Sequence, residues 1–168
     1  MSIEEEIFSK EKLFLWLQDA SKLWLAHDGL WFQEVEKKFG IETAIELDKN
    51  AWEKFSPIEA KRIMERLKIE KNGGLSALAK ALKGRLYTIL NEDELILKEN
   101  TLTYTMKNCR VQEARERKKL PLFPCKEVGI VEYKTFAKTI DERIQTKCIF
   151  CPPDEKREEG FCQWIFWI

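Results

Sequence analysis

The chain has 168 residues and a mass of 19.9 kDa, which is enough for one domain with its own core. A composition of 44% hydrophobic and 35% charged residues excludes a disordered chain, and the balance of 29 basic and 29 acidic residues disfavours nucleic-acid binding. No apolar run approaches the ~20 residues of a membrane span, and residues 1–6 lack the hydrophobic segment of a signal peptide. We therefore expect a single cytoplasmic domain over residues 1–168, with no membrane partner.

Residues 1–91 have the apolar spacing of helices. The first stripe follows the i, i+3, i+4, i+7 rule and consists of Leu13, Leu17, Ala20, Trp24, His27 and Trp31. Gly29 either ends this helix or interrupts it. The segment Ser56-Pro57-Ile58-Glu59 has the capping-box pattern that starts a helix. A further apolar helix covers residues 75–89, unless it breaks at Gly84.

Residues 92–168 change to the spacing of strands and carry all five cysteines. The predicted elements are a hairpin at 95–106, helices at 110–119 and 126–140, and strands at 144–148 and 162–168. The last strand is so apolar that it must pair within a sheet, because an exposed strand of this kind aggregates. The sequence therefore predicts an α+β fold, in which N-terminal helices pack on a small antiparallel sheet and the C-terminal half is cysteine-rich.

The cysteines are the main chemical signal. Cys148 and Cys151 form a Cys-x-x-Cys pair, whose two thiolates can bind one metal ion from a tight turn. Cys162 comes close to Cys148 if the two late strands form a hairpin, and Cys125 precedes the intervening helix. These four residues are the predicted ligands of a zinc ion or an iron–sulfur cluster. The alternatives are a redox-active thiol pair, a disulfide such as Cys148–Cys162, and buried cysteines that pack as small hydrophobic side chains.

Cys109 is the candidate nucleophile. It precedes a predicted helix that carries Arg110, Gln112 and Arg115, and both a helix N-terminus and nearby guanidinium groups stabilise a thiolate. The arginines and Gln112 are suited to hold a carboxylate or amide substrate. The alternative is a cysteine that begins a helix beside a solvated basic face.

Three polar residues are predicted to lie on apolar helix faces in the first half: His27, Glu34 and Asp48. A histidine paired with a carboxylate can act as a general base, so His27 and Asp48 are candidate proton-transfer residues and Glu34 a candidate substrate ligand. The alternative is a structural network in which His27 bonds to Asp48 or to a backbone carbonyl.

Several segments together indicate a family. They are WLAHDGLWF at 24–32, CRxQxxR at 109–115, FPC at 123–125 and CxxCPPD at 148–154. Over nearly the whole chain, this pattern resembles a family of uncharacterised small cytosolic proteins from anaerobic bacteria and archaea. More distantly, its layout is similar to that of the L-2-amino-thiazoline-4-carboxylic acid hydrolases. That resemblance implies opening of a small ring, with Cys109 as nucleophile, Arg110 or Arg115 on the carboxylate, and Asp48 or His27 moving protons.

The sequence leaves three functions open. The first is a protein that binds a metal or a small ligand through its C-terminal cysteines, without turnover. The second is a cysteine-dependent hydrolase of a small carboxylated amidine or thiazoline, and the third is a thiol redox protein. The expected partner is a small molecule or a metal rather than a nucleic acid. The many aromatic residues also allow a homodimer.

Overall fold

A computed structural model of the protein describes residues 7–168 and has the predicted α+β architecture. The helices are α1 (Lys10–Phe39), α2 (Ile41–Leu67), α3 (Gly74–Lys83), α4 (Tyr87–Leu90), α5 (Arg110–Arg117) and α6 (Lys126–Ile140). The strands are β1 (Asp93–Lys98), β2 (Thr101–Met106), β3 (Gln145–Phe150) and β4 (Cys162–Trp167). Among residues 7–168, no helix is both long and apolar enough to cross a membrane.

The four strands form one antiparallel sheet in the order β1-β2-β4-β3. The predicted hairpin is confirmed as β1 and β2, and the apolar C-terminal strand is confirmed as β4, a central strand that pairs on both sides. Its inward side chains Trp164 and Phe166 are 1% and 0% exposed, because they face α6 across the core. Alternation of apolar residues thus predicted the buried face correctly.

The helices form a layer over this sheet, in which α6 lies against β3 and α2 lies against α6. The helix predicted over residues 75–89 does not run through Gly84; it breaks there, which was the alternative, since α3 ends at Lys83 and Gly84 caps it. A side chain at Gly84 would meet Ile63 Cγ2 at 2.7 Å, so α2 leaves no room there. Gly40 separates α1 from α2. Its φ of 90° lies in the left-handed region of backbone conformation, which favours glycine.

The predicted helix start at Ser56 is wrong, because α2 continues through Ser56 and Pro57 without a break. The Ser56 side chain is buried, and its hydroxyl donates to the Trp52 carbonyl at 2.8 Å instead of capping a new helix. Apolar residues on both sides of this point, Trp52 and Ala60, are buried. Proline tends to start or kink a helix, but the packing of these buried residues outweighs that tendency, and the helix stays continuous.

The apolar stripe predicted for α1 does not face the core over most of its length. α1 runs through Gly29, and only Ser21 and Leu25 are buried on it. Leu13, Leu17 and Trp31 are 43%, 43% and 70% exposed. The reason is tertiary, since α2 turns its main packing face to α6 and leaves α1 only partly covered. The homodimer inferred from the aromatic content stays a prediction.

Close packing between α6 and β4 depends on Gly129, which yields a testable prediction. A Cβ at this position would lie 2.7 Å from Cζ2 of Trp164, which is 1% exposed and cannot move aside. We expect Gly129→Ala to lower the free energy of unfolding by about 1–3 kcal/mol, although alanine favours helix by about 1 kcal/mol. Urea denaturation followed by tryptophan fluorescence measures this.

The matched control is Gly29→Ala, also within a helix. There the nearest atom to an added Cβ is Gln33 Nε2 at 3.9 Å, an ordinary contact. Only the difference in helix propensity should act at this site, and we expect the free energy of unfolding to rise by up to about 1 kcal/mol. Equal effects of the two substitutions would contradict the packing argument.

Candidate functional site

Four cysteines from separate positions in the chain meet beside the N-terminus of α6. Cys125 is the N-cap of α6, Cys148 lies in β3, Cys151 follows β3, and Cys162 begins β4. A register shift between Cys148 and Phe150 interrupts the pairing of β3 with β4 just before Cys151. The hairpin and the helix start therefore bring together the four residues predicted as metal ligands.

Cys151 is the centre of this group. Its Sγ lies 3.4 Å from that of Cys125, and the residue is only 2% exposed. Contacts with the thiols of Cys125, Cys148 and Cys162, together with burial, raise the pKa of Cys151 well above its ordinary value. The contact with Cys151 and the charge of Lys126 lower the pKa of Cys148, despite partial burial. All five cysteines are free.

As the side chains stand, the thiols of Cys125 and Cys151 are in contact with each other rather than arranged around a metal position. Within residues 7–168, no group of three or more His, Cys, Asp or Glu side chains stands in an arrangement that could hold a metal ion. Sulfurs bound to one tetrahedral zinc at about 2.3 Å would lie about 3.8 Å apart. The sulfurs of Cys125 and Cys151 would therefore have to separate by a few tenths of an ångström.

Polar contacts hold the loop of Cys151 against the start of α6. Lys126 Nζ lies 3.0 and 2.7 Å from the two carboxylate oxygens of Asp154, and its backbone N–H donates to the Pro152 carbonyl. The Lys126 ammonium lowers the pKa of Asp154. Asp154 also accepts a hydrogen bond from the backbone N–H of Cys151 at 3.3 Å. These contacts fix Cys125 and Cys151 relative to each other.

A cavity of about 440 Å³ opens above the thiols, between α1, α2, α5 and α6. Four cysteines line it: Cys109, Cys125, Cys151 and Cys162. Carboxyl groups line it at Asp28, Asp48 and Glu132. Trp164 also lines it, and the indole Nε1 of Trp164 is buried without a hydrogen-bond partner anywhere in the described part of the chain. A buried donor of this kind is uncommon and indicates a missing acceptor.

Cys109 lies where it was predicted, immediately before α5, but its electrostatics differ from the expectation. Burial raises the pKa of its thiol to about 12, and hydrogen bonds from the backbone N–H groups of Gln112 and Val111 only partly oppose this. The helix N-terminus thus acts in the predicted direction and is outweighed by desolvation. The expected lowering of the thiol pKa is wrong, while a catalytic role for Cys109 stays a prediction.

The residues predicted to hold a substrate beside Cys109 have protein partners. Arg115 donates to both carboxylate oxygens of Glu36, at 2.7 and 2.9 Å. Gln112 is buried and exchanges two hydrogen bonds with the backbone of Phe123, at 2.8 and 2.9 Å. Both side chains therefore join α5 to its neighbours. Arg110 also lines the cavity, and among residues 7–168 its side chain has no hydrogen-bond or ion-pair partner.

The three polar residues predicted on inward helix faces are separated by the structure. His27 and Glu34 are exposed on α1, so the predicted burial of both is wrong, because α1 turns those positions away from α2. Asp48 is half-buried and lines the cavity. Burial, and then the negative charges of Asp28 and Glu132, raise the pKa of Asp48 to about 7.

A buried charged cluster beside the cavity, between α2 and α6, was not predicted from the sequence. Arg85 is 2% exposed, and its Nη2 lies 2.8 Å from Glu59 and 2.6 Å from Glu132. The rings of Trp52 and Tyr87 lie 5.7 and 5.2 Å from its guanidinium carbon. Glu132 had a signal in the sequence, since it lies four residues before Phe136 on the buried face of α6.

Comparisons with known proteins identify a family and no characterised relative. Neither a curated protein nor a solved structure matches this chain. The more distant resemblance to the thiazoline-carboxylate hydrolases therefore stays a prediction. The expectation of an uncharacterised family is confirmed, because one family model covers almost the whole chain. The chain belongs, over residues 6–168, to DUF6125, a family of unknown function.

Proposed function

We propose that this protein binds one zinc ion through the thiolates of Cys125, Cys148, Cys151 and Cys162. The observation that carries the proposal is that Cys151 Sγ lies 3.4 Å from Cys125 Sγ, with the thiols of Cys148 and Cys162 near enough to raise the pKa of Cys151 as well. Neutral thiols are weak hydrogen-bonding groups and gain little from such contacts. A zinc ion would bind the same four sulfurs as thiolates, and a set of four cysteines is common in structural zinc sites.

The surroundings of the thiols suit a metal–thiolate group. Gln112 Nε2 lies 3.5 Å from Cys125 Sγ, so an amide N–H already donates to one of the sulfurs. Donors of this kind orient metal ligands and stabilise their negative charge. The Lys126 ammonium also favours a thiolate at Cys148.

The direct contact of the sulfurs favours a single metal ion over an iron–sulfur cluster. In a cluster the four cysteines are divided between two irons or among four, which holds most of the sulfurs farther apart than one shared ion does. Here the Sγ atoms of Cys125 and Cys151 are 3.4 Å apart, close to the separation of about 3.8 Å around one zinc ion, and two further thiols act on Cys151. Zinc binding would release the thiol protons and would therefore strengthen as pH rises.

Elemental analysis of the chain purified without oxygen tests the proposal. We expect about one zinc per chain, and after exchange with Co²⁺ the charge-transfer absorption and strong visible bands of tetrahedral cobalt thiolate. A chelator should lower the melting temperature, since metal binding stabilises the folded state. Acid-labile sulfide with iron would instead contradict the mononuclear assignment.

Two serine variants distinguish a cysteine that binds the zinc ion from a nearby cysteine that does not. Cys151→Ser should lose zinc and the cobalt spectrum. Cys109→Ser is the matched control: Cys109 also lines the cavity but is not among the thiols that most raise the pKa of Cys151, and the variant should retain both. Wild-type protein without metal, or equal metal loss in the two variants, would overturn the proposal. Loss of two titratable thiols on oxidation, without metal, would favour a disulfide between Cys125 and Cys151, whose sulfurs are 3.4 Å apart.

A further inference from the structure

The cavity above the thiols has a chemical character that zinc binding does not use. Its volume of about 440 Å³ falls within the range of small-molecule sites. Carboxyl groups extend from the mouth to the interior, since Asp28 is exposed, Asp48 is half-buried and Glu132 is 9% exposed. The rest of the lining is largely apolar and aromatic, and includes Trp52 and Tyr87.

Two of the carboxyl groups in this cavity lack a paired cation. Arg85 forms ion pairs with Glu59 and Glu132. Within residues 7–168, neither Asp28 nor Asp48 forms an ion pair with a lysine or an arginine, and Asp48 has only a hydrogen bond with Trp52. Besides Arg115, the basic residues that line the cavity are Lys22, Arg110, Arg117 and Lys118. Lys118 donates to Gln33 at 2.7 Å, and Lys22 forms an ion pair with Asp19.

The interior of this protein already stabilises one cation between aromatic rings. The Arg85 guanidinium lies against the rings of Trp52 and Tyr87, two residues that also line the cavity. Aromatic faces attract cations electrostatically, and more strongly where water is excluded. The same two rings and the carboxyl of Asp48 would serve a ligand cation in the cavity.

The second, independent observation is the buried indole N–H of Trp164. Trp164 is 1% exposed and lines the cavity, and its indole N–H has no acceptor within the described residues. It lies on the β4 side of the cavity, whereas Asp28 and Asp48 lie on the helices α1 and α2. A ligand that spans the cavity would therefore place a cation at the carboxyl groups and an acceptor at the indole.

We infer that this cavity binds a small organic ammonium compound with an apolar body and a hydrogen-bond acceptor at its far end. The inference goes beyond zinc binding and does not depend on it. The ammonium group donates to Asp48 and Asp28, the body lies against Trp52 and Tyr87, and the acceptor takes the free N–H of Trp164.

Isothermal titration calorimetry with a matched probe set tests this inference. The probes are 2-(4-methoxyphenyl)ethylamine, its des-methoxy analogue phenethylamine, the neutral 2-phenylethanol and the anionic 3-phenylpropionate. We expect both amines to bind, with the methoxy compound tighter, and the alcohol and the anion to bind at least about tenfold more weakly. Equal binding of amine and alcohol, or no binding of either amine at about 10 mM probe, would overturn the inference.

Variants assign the binding to the carboxyl groups. Asp48→Asn keeps the shape and an acceptor for Trp52 but removes the charge, and it should weaken amine binding by about tenfold. Glu46→Gln, an exposed carboxyl on the same helix, is the control and should bind like the wild type. In ¹⁵N NMR spectra, the indole resonance that is absent from Trp164→Phe should shift with the methoxy probe. Repeating the titration with Cys151→Ser separates a failure of this inference from a failure of the zinc site.

Discussion

Replacement of Arg85 by methionine should lower the free energy of unfolding by about 3–5 kcal/mol, the largest effect that we expect from a single substitution. Arg85 is 2% exposed and forms ion pairs with Glu59 and Glu132. Its removal leaves two carboxylates in a buried place without a cation. They must then take up protons or draw in water, and both responses cost free energy. Urea denaturation at pH 7 measures the loss.

The control for this prediction is Arg62→Met on the exposed side of α2, which should change stability by less than about 0.5 kcal/mol. A triple variant that also replaces Glu59 and Glu132 by glutamine should recover part of the loss, because no unpaired charge then remains. If Arg85→Met is as stable as Arg62→Met, the ion pairs do not support the fold.

Replacement of Asp48 by asparagine should stabilise the protein at pH 8, by on the order of 2–4 kcal/mol. Burial and the charges of Asp28 and Glu132 raise the pKa of Asp48 from 3.8 to about 7. In the unfolded chain this carboxyl ionises near its ordinary pKa, so ionisation favours the unfolded state as pH rises from about 4 to about 7. Asparagine removes this cost and still accepts a hydrogen bond from Trp52.

The pH dependence makes the prediction specific. The gain from Asp48→Asn should be largest above pH 7, decrease as pH falls, and vanish near pH 4, where the carboxyl is protonated in both states. Glu46→Gln, exposed on the same helix, should show no such trend. A gain that is equal at pH 4 and pH 8 would show that Asp48 does not titrate in the folded state as its surroundings require. A destabilising carboxyl in a cavity fits a residue kept for binding.

The secondary structure and the fold class could largely be predicted from the sequence, because they depend on local patterns. Alternation of apolar residues predicted β2 and β4 together with their buried faces, and the spacing of α6 was predicted almost to its ends at Lys126 and Ile140. The hairpin between β1 and β2 and the start of α5 after Cys109 are also local features. Each is set by residues a few positions apart.

The errors arose where packing outweighs a local rule. Ser56 and Pro57 have the pattern of a helix start, but the helix continues because its flanking residues are buried. The apolar residues of α1 have core spacing, yet Trp31 is 70% exposed because α2 packs mainly on α6. Cys109 begins a helix, but burial raises the pKa of its thiol instead of lowering it. In each case a distant element decides the outcome.

For the candidate site too, some features are determined by the sequence alone and others by the tertiary structure. The sequence by itself determined which residues can do chemistry: the cysteines with their Cys-x-x-Cys spacing, and an acid on an apolar helix face at Asp48. Only the tertiary structure decided which of them meet, because Cys125 and Cys151 are 26 positions apart and Glu132 lies far along the chain from Asp48. Electrostatic and metal-binding properties act over a few ångströms of space, and spacing along the chain does not fix such distances between separate elements.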